Sequence, residues 1–496
     1  MDKELIDFFS SLPFWKQLLL IGVIATVVGG VILAAVLGTW KWWWRKLFPK
    51  KDKPVQTIVN INLFDYQDGW PAAPPGEKKD LYEKARNKAA AGDFDGALKA
   101  YYKLLAVEQD NIKLSALEVQ IGNMYYDKRR YNKALEQYAA SLRHARKAGN
   151  TEAEASALGS QANAYLKIPY SSTEIRIDNL NSAKEKILQV LNTFTKDEYP
   201  LQYAAAQNNL GIAYMDLPAK DSAERADNVR KAIECYESAL EIRKKDEYPL
   251  DYATTQNNLG IAYMDLPSGN NTECADNVRR AIKCYESALE IRKKDEYPLN
   301  YATTQNNLGL AIMALPSGNS AERADNVRRA IKCYESALEI YRKDEYPLDF
   351  AMIQNNLGLA IMALPSGDRA DNVRKAIECF ESALEIYRKD DYPLDYAMTQ
   401  NNLGAAYMAL PSRDNADRAD NVLKAIECYE SALEVWKKDE YPQKYCFAAA
   451  NMGVAQVDSD PEKACHWLRE AYSLREFLPN QGKSLEKLIE QVCGKP

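Results

Sequence analysis

The sequence predicts an all-α solenoid of helical hairpins carried on one N-terminal membrane-crossing helix. Two observations make the prediction. The dipeptide Tyr-Pro recurs at Pro200, Pro249, Pro298, Pro347, Pro393 and Pro442, with spacings of 49, 49, 49, 46 and 49 residues. A fixed period of this length marks a structural unit that stacks on its own copies. The second observation is an uncharged run from Leu18 to Trp40 in a chain whose other segments are rich in charge. At a rise of ~1.5 Å per residue such a run crosses the ~30 Å hydrocarbon layer.

The membrane segment comes first in the chain. Trp15 stands before it, and Trp40, Trp42, Trp43 and Trp44 stand at and after its end, where indole rings prefer the headgroup zone. The apolar run is long for a cleaved secretory signal and its start carries Asp2, Glu4 and Asp7, so a retained anchor is expected. Lys41, Arg45, Lys46, Lys50, Lys51 and Lys53 follow it, against Lys3 and Lys16 before it. The excess of cations after the span places the N-terminus outside and the C-terminal body in the cytosol of a single-pass cell-membrane protein. Gly22, Thr26, Gly30, Ala34 and Gly38 fall on one face of this helix. Such a small-xxx-small stripe lets two backbones approach and points to homo-oligomers formed through the anchor; the other reading is that glycine is common in membrane helices.

Residues 41–77 form a basic juxtamembrane segment and stalk, in which Val55 to Phe64 is β-branched and partly alternating and Pro71, Pro74, Pro75 and Gly76 follow. One short strand or an extended linker fits this composition.

Each 49-residue unit then reads as two helices. Tyr203, Leu210, Ala213, Tyr214 and Leu217 have helical spacing, with Pro200 suited to the first turn. A loop containing Pro218 ends this helix, and the second is expected to open at Asp227-Asn228 and run through Ala232, Ile233, Tyr236, Ala239, Leu240 and Ile242.

Leu210, Gly211, Tyr214, Ala232, Tyr236 and Ala239 resemble the small and large signature positions of tetratricopeptide (TPR) repeats, and Leu259, Gly260, Tyr263 and Leu403, Gly404, Tyr407 repeat the likeness. The units are longer than that family's ~34 residues. The wording Tyr-Ala-Thr-Thr-Gln-Asn-Asn-Leu-Gly at residues 252–260 is similar to kinesin-light-chain-like and prokaryotic signalling TPR arrays. The resemblance implies a right-handed superhelical solenoid whose first helices line a groove. Shorter units are expected at Leu81 to Leu105 and Gly122 to Leu142, and a diverged one over about Glu152 to Thr195. The expected organisation is a short extracytoplasmic stretch 1–17, the membrane helix 18–40, the stalk 41–77, a solenoid of about nine hairpins over 78–478, and a capping helix in 479–496.

The candidate site follows from that implied groove. Asn208, Asn209, Asn257, Asn258, Asn306, Asn307, Asn355, Asn356, Asn401 and Asn402 recur just before the glycine, and Met215, Met264, Met313, Met362 and Met408 one turn beyond it, with Met352 and Met398 nearer the helix start. An amide donates and accepts, so a row of amides suits the backbone of an extended peptide, or equally ties neighbouring hairpins together. Methionine adapts to varied apolar partners, or fills gaps between repeats.

These features point to a scaffold or receptor for peptide segments and protein partners. A membrane-active signalling or defence effector, in which the array senses a ligand and the glycine-striped helices oligomerise, is the second reading. Charges are intermixed and the net charge is -6, which gives no basic face for nucleic acid. The sequence has two histidines, His144 and His466, and no Gly-x-x-x-x-Gly-Lys loop, so neither a metal cage, a cofactor nor an enzyme is expected. Of the nine cysteines, Cys235, Cys284, Cys333, Cys379 and Cys428 fall at the same place in successive repeats, too far apart to pair, and read as small buried thiols in a reducing compartment.

Overall fold

Successive helices dominate the computed structural model, which describes residues 77–494 except 170–171, 269, 366 and 478–481. The predicted membrane helix 18–40, its small-residue stripe and the stalk lie outside the described residues. No described helix is long and apolar enough to cross a membrane.

The described residues contain 19 α-helices and no strand. Two compact units divide them, one reaching Pro267 and the other starting at Ser268. In the first, α1 (Glu77–Ala90) pairs with α2 (Phe94–Val107), α3 (Asn111–Asp127) with α4 (Tyr131–Ala148), α5 (Thr151–Lys167) with α6 (Thr173–Thr193), and α7 (Pro200–Asp216) with α8 (Ser222–Leu240), before α9 (Pro249–Asp265). The second opens with α10 (Asn271–Leu289). Four pairs follow: α11 (Pro298–Ala314) with α12 (Ser320–Leu338), α13 (Pro347–Met362) with α14 (Arg369–Leu384), α15 (Pro393–Ala409) with α16 (Asn415–Val435), and α17 (Pro442–Gln456) with α18 (Pro461–Ser473). A last helix, α19 (Gly482–Cys493), closes the chain.

The Tyr-Pro dipeptide starts each long unit as its chemistry requires. Tyr199 precedes Pro200, the first residue of α7, and the same holds at Pro249, Pro298, Pro347, Pro393 and Pro442. Proline has no N–H to lose there and its φ already suits a helix. Where the residue five places earlier is aromatic the two rings pack, as Phe194 on Tyr199 (5.0 Å), Tyr341 on Tyr346 (5.6 Å) and Tyr387 on Tyr392 (6.1 Å).

The second helices begin earlier than Asp227-Asn228. The N-cap of α8 is Asp221, whose carboxylate accepts the Glu224 N–H at 2.8 Å, while Glu224 reaches back to the Lys220 N–H at 2.7 Å. This reciprocal box satisfies two orphan donors and outcompetes a start six residues later. Asn270, Asn319 and Asp414 cap α10, α12 and α16 in the same way. The asparagine taken for a cap instead holds the loop: Asn326 Nδ2 donates to Ser317 Oγ at 3.3 Å and Asn421 Nδ2 to Ser412 Oγ at 3.4 Å.

Inside each hairpin the glycine and tyrosine signature positions meet. A Cβ on Gly309 would lie 2.7 Å from Tyr334 Cε1, and one on Gly404 2.7 Å from Tyr429 Cε1. The fully buried ring lies flat against the helix where a side chain would stand. In the last unit, α19 buries Leu485, Leu488 and Ile489 against Cys446, Ala449, Leu468 and Ala471. A disulfide between Cys465 and Cys493 ties it to α18, while the five recurring cysteines, Cys235, Cys284, Cys333, Cys379 and Cys428, are free thiols. Cys465 and Cys493 lie 28 residues apart, and the packing of α19 across α18 brings them together.

Candidate functional site

The predicted amide row is present, and the structure uses it between hairpins. In the first unit Asn209 Nδ2 donates to Asn163 Oδ1 at 2.6 Å, and Asn258 Nδ2 to Asn208 Oδ1 at 3.2 Å. In the second, Asn356 Nδ2 donates to Asn306 Oδ1 at 3.0 Å, Asn402 to Asn355 at 3.0 Å and Asn451 to Asn401 at 3.0 Å. Asn208, Asn209, Asn257, Asn258, Asn306, Asn307, Asn355, Asn356 and Asn402 are all buried, while Asn401 keeps partial exposure. A buried amide is costly until its donors and acceptors are met. Here these amides bond from one first helix to the next and form a polar seam between hairpins.

Asn163 belongs to the diverged α5, and sequence alignment on the Asn-Asn pair did not single it out. The bond spans 46 residues, where the other seam bonds span 47 or 50, so the repeat spacing does not point to it. Asn451 likewise continues the seam into α17, although the sequence there reads Ala449-Ala450-Asn451.

The methionines divide. Met215 and Met362 are buried, whereas Met264, Met313, Met408, Met352 and Met398 keep partial exposure. In the first unit Leu201 and Leu250, at the starts of α7 and α9, are 43% and 42% exposed, and Ile212 and Ile261 are partly exposed on the same helices. An apolar strip therefore remains beside the buried amides. It had no sequence flag at Leu201 and Leu250, because a leucine after proline in a first turn looks like ordinary core.

A second polar device recurs in the turns that follow the second helices. Arg243, 2% exposed, donates to Thr255 Oγ1 at 2.9 Å and lies 3.8 Å from the Asp251 carboxylate. Arg292 donates to Thr304 Oγ1 at 2.9 Å, and burial pushes its pKa down to about 10. The next three units carry Tyr341, Tyr387 and Trp436 at this position, all buried. Each plugs the joint between one hairpin and the next.

The groups that could carry chemistry are engaged or inert. His144 Nδ1 lies 2.8 Å from Glu118 Oε2, and His466 packs on Trp467. Burial pushes the Cys235, Cys379, Cys428 and Cys446 thiols up to about 12. A thiol so raised is a poor nucleophile at neutral pH. Among the described residues no group of three or more His, Cys, Asp or Glu side chains could hold a metal ion.

Five segments match the family model described as Sel1 repeat: residues 204–241, 303–339, 354–385, 397–434 and 446–475. No curated protein matches the chain. Similar solved structures include a tetratricopeptide repeat protein from Parabacteroides merdae ATCC 43184, with 15% identity and a TM-score of 0.39, covering 66% of this chain and 98% of that one. MamA protein shows 25% identity and a TM-score of 0.28 over 44% of this chain and 93% of its own. Yeast Tom70 shows 15% identity and a TM-score of 0.29 over 84% of this chain and 95% of its own. None of these scores reaches 0.5, so the assignment rests on the hairpins and the matched segments. Together they make the described body an array of helical hairpins, five stretches of which match the Sel1 repeat model.

Proposed function

We propose that this chain is a scaffold that holds other polypeptides against the partly exposed apolar strip of its first helices. The observation that carries the reading is the exposure of Leu201 and Leu250, at 43% and 42%, at the same position of successive units. Apolar side chains repeated at one place on a rigid array offer a partner burial that water does not. The buried amides serve the same end indirectly, by fixing the interval at which those side chains recur.

In this reading residues 18–40 anchor the body in the cell membrane, and the Lys and Arg residues after the span keep the body in the cytosol. Cysteine usage lends that location less support than the charges do, since Cys465 and Cys493 are bonded. Gly22, Thr26, Gly30, Ala34 and Gly38 would pair two anchors and double the number of strips presented to a partner.

Affinity capture with the full-length chain tests the proposal. Replacing Leu201 and Leu250 by glutamate is expected to remove specific partners while the melting temperature stays unchanged, because neither side chain is core. An identical partner set from parent and variant contradicts the strip as the contact surface.

A further inference from the structure

One position near the start of the second helices is Arg176, Arg225, Cys274, Arg323, Arg369 and Arg418 in successive hairpins. The residue 40 places further on, at the end of the next first helix, is Asp216, Asp265, Ala314, Ala363, Ala409 and Asp458. Where both charges are present they pair. Arg176 Nη2 donates to Asp216 Oδ2 at 2.6 Å, Arg225 to Asp265, and Arg418 Nη2 to Asp458 Oδ2 at 2.8 Å. The guanidinium also caps its own hairpin: Arg225 Nη1 donates to the Met215 carbonyl at 2.8 Å.

One unit drops the pair cleanly, with buried Cys274 and buried Ala314 in place of both charges. The next does not. Arg323 retains the cation while Ala363 stands at the carboxylate position. The Arg323 guanidinium has no hydrogen-bond or ion-pair partner among the described residues, and the side chain is partly buried. Burial holds its pKa below the ordinary arginine value. A guanidinium withdrawn from water without a counter-charge is costly, and the cost ends when a carboxylate meets its planar fork.

We propose that Arg323 receives an acidic side chain of a partner polypeptide, which supplies the carboxylate that Asp216 and Asp265 supply to Arg176 and Arg225. The earlier pairs show that this site geometry accepts a carboxylate, and the partial exposure of Arg323 leaves it accessible from outside. The contact lies at the hairpin-loop edge, away from the amide seam. The inference rests on reading the chain as a polypeptide-binding scaffold and names the charge its partner carries.

The test uses the full-length chain in mild detergent and a fluorescein-labelled decaglutamate peptide, with a decaglutamine peptide as control, read by anisotropy. Arg323→Gln is expected to weaken decaglutamate binding about tenfold. Ala363→Asp, which returns the internal partner, is expected to weaken it as much while keeping or raising the melting temperature. Lys332→Gln, an exposed cation on the same helix, is expected to leave binding unchanged. Parent-like binding by both Arg323→Gln and Ala363→Asp overturns the proposal, as does an equal loss in Lys332→Gln. If decaglutamate fails to bind the parent while the leucine variants still lose their partners, this inference falls and the scaffold reading stands.

Discussion

Asn355 accepts a hydrogen bond from Asn402, and both residues are buried. Truncating one member leaves the other with an unmet polar group, at a cost of about 1–3 kcal/mol. Asn402→Ala is therefore expected to lower the stability of the second unit by that amount, measured by urea unfolding of the full chain. Gly309 gives a steric counterpart. Gly309→Ala must displace the buried Tyr334 ring, and about 1–3 kcal/mol of destabilisation is expected. Lys444 supplies the pH dependence. Its ammonium lies over the rings of Trp436 (5.6 Å) and Tyr441 (5.9 Å), and burial pushes its pKa from 10.5 down to about 8, with Asp395 pulling the other way. Between pH 8 and 10.5 the unfolded chain then binds more protons at this site than the folded one, so its contribution to stability rises with pH. Lys444→Met is expected to be more stable than the parent at pH 7, with the gap closing as pH approaches 10.5. A gap that does not change with pH contradicts the assignment.

At the scale of the helix, much was legible in sequence because the signals are local. Pro200 and its five equivalents marked six helix starts, and the Gly211 and Tyr236 positions named the hairpin contact. The second helices were harder. Asp221 and Asp227 are both good N-caps, and the choice fell to Glu224, which closes the box on Lys220. The function of the amides was not legible at all, since a donor and acceptor repeated every 49 residues serves a peptide and a neighbouring helix equally well. What decides is which groups the packing of adjacent first helices brings together, and the same packing buries Ala204, Ala205 and Ala206. The Cys465–Cys493 bond was hidden for a related reason, as it depends on where α19 lies across α18. Closing a 28-residue loop constrains the unfolded chain by about 3.6 kcal/mol. Reducing agent is accordingly expected to raise hydrogen exchange in α19 and to leave α11 to α16 unchanged. Equal protection with and without reductant contradicts a structural role for the bond.

At the scale of the molecule, each unit is a series of like joints, and stability is a sum of local terms that neighbours share. Buried thiols pushed up to about 12 in four hairpins are expected to resist iodoacetamide in the native state and to react together on unfolding. The surface ion pairs between hairpins, such as Lys343 with Glu385 and Lys389 with Glu434, are exposed and contribute little beside the seam. The central claim is that the paired asparagines bind hairpin to hairpin. A double-mutant cycle on Asn355 and Asn402, read by urea unfolding of the full-length chain, tests it most directly. The account predicts a coupling of about 0.5–1.5 kcal/mol between the two alanine substitutions. Strictly additive losses would contradict it.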